Sequence, residues 1–158
     1  MPIVGVHHTS FTVADLDRSI AFFRDVLGLE LLYQREIRDD YFGKIVGLPG
    51  CAVKAVLFRL PGSGHHLELF QYLQPHGQAL SARPCDPGSS HLSFLIDDLP
   101  AFFAQLQGKG ITFVSPPIPI TAGPSRGGSG LYLRDPNGIL IELFQPAPTS
   151  VGGEIRNA

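Results

Sequence analysis

The sequence predicts an α+β protein made of two βαβββ modules, and two repeated motifs support this prediction. The segment HTSFTVADL at residues 8–16 recurs as HLSFLIDDL at residues 91–99, and ELFQ at residues 68–71 recurs at residues 142–145. In both halves an alternating, strand-like run leads directly into a helical pattern. The repeats therefore indicate that the two halves fold alike.

The first half contains one helical pattern and four strand-like runs. The helical pattern begins at Leu16, and Gly28 stands where a glycine commonly ends a helix. We expect strands over residues 8–13, 29–36, 51–60 and 65–72.

The second half repeats this order. Asp98 precedes a helix that has Pro100 in its first turn and Gly108 or Gly110 as its stop. We expect strands over residues 91–96, 111–114, 129–134 and 138–145. A Pro- and Gly-rich stretch over residues 115–130 is interpreted as a lid or a plain surface loop.

These patterns divide the chain into four parts. We expect a first module, a connector rich in Pro, Gly and Ser, a second module and a flexible tail, over residues 1–73, 74–90, 91–146 and 147–158. The two modules together form one domain in this interpretation.

The composition excludes several classes of protein. With 158 residues, 44% of them hydrophobic, the chain is long enough to bury a core. A formal net charge of −2 indicates neither a nucleic-acid partner nor a membrane-surface partner. The first residues lack the charge and hydropathy pattern of a signal peptide, and no apolar stretch has the length of a spanning helix, so we expect a soluble cytoplasmic protein. Cys51 and Cys85 lack the spacing of a thiolate zinc site.

One His and one Glu recur at corresponding positions in each half: His8 and Glu68, then His91 and Glu142. If the two half-sheets face each other across a pseudo-two-fold axis, these four side chains converge. Two neutral imidazoles and two carboxylates suit a divalent first-row metal in both ligand type and charge. Four protein ligands leave coordination positions open for a substrate, which is typical of a catalytic site.

A competing interpretation is that the repeated residues serve only the fold. We favour it for four of them, which we interpret as structural caps: Ser10, Ser93, Asp15 and Asp98. The carboxylates of Glu68 and Glu142 differ, because their apolar neighbours bury them and a buried carboxylate needs a partner. His7, His65 and His76 are interpreted as structural or surface residues, and strand alternation predicts that His7 points away from His8.

The motifs HTSFTVADLDRSIAFFRDVLGLELL, HLELF, HLSFLIDDL and YLRDPNGILIELF together resemble the vicinal oxygen chelate superfamily, which contains glyoxalases, bleomycin-resistance proteins and extradiol dioxygenases. The resemblance implies an open, incomplete barrel of two paired modules around a metal, as part of a homodimer. It places His8, Glu68, His91 and Glu142 at the ligand positions.

The full ligand set resembles bacterial glyoxalase I and methylmalonyl-CoA epimerase. This resemblance implies a lyase or isomerase that chelates vicinal oxygens of a small carbonyl, thioester or hemithioacetal substrate and moves a proton through an enediolate or enolate. Glu142 is the first choice for the base and Glu68 the second. The resemblance also implies one divalent metal ion, which we expect to be Ni, Co, Mn, Zn or Fe(II).

Two alternatives stay open. His8, His91 and Glu142 alone form a 2-His-1-carboxylate triad suited to Fe(II). The segment YLRDPNG, which leads to Glu142, resembles the C-terminal half of the signature of extradiol ring-cleaving dioxygenases. This resemblance implies a catalytic role for Tyr132. We interpret His66, two residues before Glu68 on the same face of the strand, as a surface imidazole at a Gly-rich turn, with a role as a base beside Glu68 as the alternative. The other alternative is a non-catalytic, drug-binding resistance protein.

Overall fold

The computed structural model describes residues 2–148, and the chain divides into two compact units, Met1–Leu80 and Ser81–Ala158. The division falls inside the predicted connector. The predicted tail lies outside the described residues from position 149 onward.

The first unit contains four strands and two helices. They are β1 (His8–Thr12), α1 (Leu16–Ile20, continued by a π-helical segment, Ala21–Val26), β2 (Glu30–Ile37), α2 (Asp40–Val46), β3 (Ala52–Arg59) and β4 (His66–Gln74). The sheet order is β1-β4-β3-β2, with β1 parallel to β4 and the other pairs antiparallel. The first and last strands of the unit are therefore neighbours.

The first helix has the predicted extent but changes type along its length. The Asp15 side chain accepts a hydrogen bond from the N–H of Arg18 at 3.1 Å, which confirms its role as a cap. The Leu27 N–H donates to the carbonyl of Phe22, five residues back, which is the π-helical spacing. Gly28 then ends the helix with a φ of 78°, as predicted.

Helix α2 was not predicted, because Gly43 interrupts the helical pattern. A Cβ at this position would lie 2.8 Å from the carbonyl oxygen of Leu48, so the close approach of the chain requires glycine. Phe42 anchors the helix, with its ring centroid 5.3 Å from that of Phe70 in β4. The helix therefore covers one end of a single face of the sheet.

One face of the first sheet packs against α1, and the other carries Glu68. Leu67 and Leu69 are fully buried on the face that α1 covers, where Phe23 packs against Phe58 with ring centroids 5.9 Å apart. Because strand side chains alternate, Glu68 lies on the opposite face. The buried side chains of β4 therefore hold in place the strand that carries the Glu68 carboxylate.

The second unit repeats the plan with one difference. Its elements are β5 (His91–Leu95), α3 (Leu99–Gly108), β6 (Ile118–Pro119), β7 (Ser129–Arg134) and β8 (Leu140–Gln145), in the sheet order β5-β8-β7-β6. Asp98 caps α3 through a hydrogen bond from the N–H of Ala101 at 3.0 Å, as predicted. Ser10 and Ser93 instead lie within strands, so the prediction that they are caps was wrong.

The predicted strand over residues 111–114 was wrong. Only Phe113 forms a bridge there, to Leu133, and the edge strand is β6, inside the stretch interpreted as a loop. Prolines explain the short edge, because a proline offers no N–H to a ladder and three of them stand at positions 116, 117 and 119.

The predicted α+β class with two βαβββ modules is confirmed, with α2 as an addition to the first. None of the helices in residues 2–148 has the length and apolar character of a membrane-spanning segment.

Candidate functional site

The first module brings His8 and Glu68 together. Parallel pairing of β1 with β4 places Ser10 opposite Glu68 and His8 opposite His66, so these residues share the face that α1 does not cover. The Nε2 atom of His8 lies 3.3 Å from Oε2 of Glu68. The imidazole is more exposed than the carboxylate, at 40% against 18% of the side chain.

The second module brings His91 and Glu142 together in the same way. Ser93 pairs with Glu142 in the parallel ladder of β5 and β8. The Nε2 atom of His91 lies 3.3 Å from Oε2 of Glu142, and again the carboxylate is the less exposed side chain. Each module therefore holds one imidazole nitrogen and one carboxylate oxygen at the same separation.

The donor atoms of each pair fit a divalent first-row metal. Neutral imidazole and carboxylate are the ligand types that such ions accept. Adjacent ligands at about 2.0–2.2 Å from one ion lie roughly 3 Å apart, close to the separation within each pair. Across residues 2–148, no three His, Cys, Asp or Glu side chains form a group that could hold a metal ion. A single four-residue site is therefore still a prediction.

The fold agrees with the comparison with known families. The model of the glyoxalase/bleomycin resistance protein/dioxygenase superfamily matches residues 5–143. The chain belongs to this superfamily. A 2-epi-5-epi-valiolone epimerase from an Actinomyces species is 32% identical over 144 residues, which cover 89% of this chain and 79% of that protein.

Two further members of the superfamily are similar to this chain. A lactoylglutathione lyase from Arabidopsis thaliana is 26% identical over 144 residues, which are 90% of this chain but only 44% of that protein. The crystal structure of a glyoxalase family protein from Bacillus cereus superposes with a TM-score of 0.80 at 23% identity, covering 93% of this chain and 97% of the other. This likeness confirms the predicted glyoxalase fold.

The structure brings Tyr132 to the second pair. Tyr132 in β7 is opposite Glu142 in β8, and its hydroxyl lies 3.3 Å from Nε2 of His91. The rings of Tyr132 and His91 meet edge to face, with centroids 5.2 Å apart. Burial raises the pKa of the Tyr132 phenol, and the charge of Glu142 and a hydrogen bond to it raise this pKa further. The phenol is therefore protonated at neutral pH.

The first pair has histidine neighbours instead of a tyrosine. His66, opposite His8, has its Nδ1 atom 3.2 Å from the carbonyl oxygen of His7. The prediction that His7 points away from His8 was wrong, because the two Nδ1 atoms are 2.7 Å apart. His7 precedes the first residue of β1, so strand alternation does not govern it. The His-His dipeptide was the available signal for this contact.

Proposed function

We propose that this chain is a divalent-metal-dependent isomerase or lyase that moves a proton at the carbon next to a substrate carbonyl. The observation that carries the proposal is the repeated pair, an imidazole nitrogen and a carboxylate oxygen 3.3 Å apart in each module. Two carboxylates at equivalent positions supply what such a reaction needs, a group that takes the proton and a group that returns it.

The proposed metal ligands are His8, Glu68, His91 and Glu142. The ion is Ni, Co, Mn, Zn or Fe(II), and the two carboxylates offset its charge. When bound, it supplies Lewis acidity, which polarises a carbonyl and stabilises negative charge on its oxygen.

Glu142 is the proposed base, with Glu68 as its equivalent in the other module. The Glu142 carboxylate takes the proton from the carbon next to the carbonyl, and one of the two glutamates returns a proton to this carbon or to its neighbour. Tyr132, which stays protonated, donates a hydrogen bond to Glu142 or to a substrate oxygen. This hydrogen bond holds the carboxylate in place. The number of protons on the protein is the same before and after one turnover, because one proton is taken and one is returned.

The relatives support the class of substrate. We propose a small carbonyl compound, with thioesters and hemithioacetals as the other members of the class, and a homodimer as the working form. Arg59 is opposite His66 in the sheet, and Glu30 already engages it at 2.7 Å. Because this guanidinium is already paired, we do not propose it as the contact of a substrate anion. The similarity to an epimerase and to a lactoylglutathione lyase supports the class of carbonyl substrates.

A ring-cleaving Fe(II) dioxygenase is the second candidate, and the Tyr132–His91 contact favours it. In this candidate His8, His91 and Glu142 form the facial triad. Tyr132 would then orient an oxygen substituent of the substrate beside His91. A drug-binding protein without catalysis needs neither the triad nor the phenol.

Deuterium exchange tests the proposal. Zn-, Co- and Ni-reconstituted protein is incubated anaerobically in D₂O with a panel of cyclic hydroxyketones and hemithioacetals, and exchange at the carbon next to the carbonyl is followed by NMR. Glu142→Gln should slow exchange by about 100-fold or more with little change in KM, whereas Glu36→Gln, a matched change on an exposed strand residue, should not.

The opposite results identify the second candidate. Oxygen consumption with catechols, a requirement for Fe(II) and a large defect in Tyr132→Phe would replace the isomerase with the dioxygenase. Ligand binding without turnover by the metal-loaded protein would leave the drug-binding alternative.

A further inference from the structure

The imidazole of His8 has a partner at each of its nitrogen atoms. Its Nε2 atom lies 3.3 Å from Oε2 of Glu68, and its Nδ1 atom lies 2.7 Å from Nδ1 of His7. Two facing ring nitrogens at this distance form a hydrogen bond only if one carries a proton and the other a lone pair. The protonation sites of His7 and His8 are therefore coupled.

His7 is held in place by the last strand of its module. Its carbonyl oxygen accepts a hydrogen bond from the backbone N–H of His66 at 3.0 Å and lies 3.2 Å from Nδ1 of His66. Its ring centroid is 5.0 Å from that of His8 and 5.4 Å from that of His66. The ring of His7 thus stands beside His8 on an anchored backbone.

The second module has no counterpart of this arrangement among its described residues. The positions that correspond to His7 and His66 hold Ser90 and Leu140. His91 has its neighbour, Tyr132, on the Nε2 side instead. The two candidate ligands therefore have their neighbours at different ring nitrogens. His8 meets His7 through Nδ1, the nitrogen away from the carboxylate, whereas His91 meets Tyr132 through Nε2, the nitrogen that faces the carboxylate.

Without a metal, Glu68 favours one tautomer of His8. A carboxylate only accepts hydrogen bonds, so a hydrogen bond across the 3.3 Å contact with Glu68 requires the His8 proton to be on Nε2. A ligating Nε2 needs its lone pair, so the proton must then be on Nδ1. The group that faces Nδ1 of His8 must therefore donate a hydrogen bond in the metal-free state and accept one in the metal-bound state. The imidazole of His7 can do both, because one of its nitrogens carries a proton and either nitrogen can be the one.

We propose that His7 is a positioning residue for His8: its Nδ1 atom accepts the Nδ1–H of His8 when Nε2 of His8 ligates a metal, and donates to His8 when it does not. The inference rests on the proposed metal site. In the change of state, the His7 Nδ1 proton crosses to His8 Nδ1, the His8 Nε2 proton leaves to water, and water returns one proton to His7 Nε2. Each ring keeps one proton, and no net charge moves.

Zinc affinity and the tautomers of both rings test this inference. Zn²⁺ affinity is measured by competition with a chromophoric chelator, and long-range ¹H–¹⁵N NMR locates the ring protons in zinc-free and zinc-loaded protein. His7→Phe should weaken Zn²⁺ binding by about 10-fold, within the range for lost partners of metal-ligating histidines. His7→Gln should restore most of it, because the amide offers both a donor and an acceptor. His76→Phe, in the connector, is the matched control and should bind zinc as the wild type does.

In the zinc-loaded wild type we expect a proton on Nδ1 of His8 and none on Nδ1 of His7. The reverse arrangement, or wild-type affinity in His7→Phe, overturns the inference. If His8→Ala loses affinity while His7→Phe does not, the metal site stands and only the role of His7 fails. If the wild type binds no divalent metal, both fail. If the His7 variants change Zn²⁺ affinity as expected but the protein exchanges no substrate proton, the proposed reaction is wrong and the proposed role of His7 is retained.

Discussion

The side-chain oxygen Oε1 of Gln145 accepts a hydrogen bond from the backbone N–H of Leu99 at 2.8 Å, and so ties β8 to the first turn of α3. Gln71 makes the equivalent bond to Leu16 at 3.2 Å in the first module. This relationship explains the recurrence of ELFQ. The Glu of each copy faces the candidate site, while the Gln three residues later reaches the helix on the other face.

We expect Gln145→Leu to lower the free energy of unfolding by about 1–2 kcal/mol, because it removes the acceptor from a partly buried N–H at a helix start. Urea denaturation followed by circular dichroism measures this change. Gln78→Leu, in the exposed connector, is the control and should unfold as the wild type does. Equal losses in the two variants would show that the bond does not stabilise the module.

Gly128→Ala should destabilise the second module. The added Cβ would lie 2.6 Å from the carbonyl oxygen of Gln145 and 3.2 Å from that of Ser125, and neither backbone atom moves cheaply. Overpacking of this kind costs about 1–3 kcal/mol. Thermal unfolding measures the loss, and Gly77→Ala, where the added Cβ meets nothing within 4 Å, is the control. A melting temperature of Gly128→Ala equal to that of the control would contradict the prediction.

His8→Ala and His91→Ala should each weaken binding of Co²⁺ or Zn²⁺ strongly, because each removes one proposed ligand. Isothermal titration calorimetry on metal-stripped protein measures the affinities. His65→Ala is a useful control, since His65 bonds to Thr9 through its Nε2 atom at 2.8 Å and belongs to neither pair. Unchanged affinity in either variant removes that histidine from the proposed site.

Tyr72 should make stability fall at high pH. Burial, and then the charge of Cys51, raise the pKa of the Tyr72 phenol above its ordinary value of 10.0. The unfolded chain therefore loses this proton first, and folding free energy is lost as the pH rises above about 10. Urea unfolding at about pH 8 and about pH 10.5 should show that the wild type loses stability relative to Tyr72→Phe at the higher pH. A constant difference contradicts the shift.

The repeats made most of the fold predictable from the sequence. Asp15, Asp98 and Gly28 are local signals, because a cap or a left-handed turn depends on a few neighbouring residues. Duplication in register also pointed to one His and one Glu at equivalent positions of each module, and the structure brings each of these pairs to 3.3 Å. The convergence of all four side chains stays a prediction. Asp135, in a motif that resembles a dioxygenase signature, accepts bonds from the N–H groups of Asn137 and Ile139 at 2.8 Å and so shapes a turn.

Contacts set by tertiary structure were not predictable. Gly43 weakens the helical pattern of α2, and the reason for a glycine there, the nearby carbonyl of Leu48, exists only in the folded chain. His7 lies before the strand, where alternation gives no direction to a side chain. Its contact with His8 depends on the carbonyl that His66 holds.

Parallel pairing of the first and last strands has a consequence for how each pair of ligands arises during folding. His8 and Glu68 are separated by most of their module, as are His91 and Glu142, so both contacts have high contact order. Closing such a long loop costs chain entropy that only a nearly complete sheet repays. An intermediate that has not yet recruited its last strand presents an imidazole without its carboxylate. The His–Glu distance within a module is therefore a direct reporter of completed folding, and a nascent chain acquires each pair only after its closing strand has been synthesised.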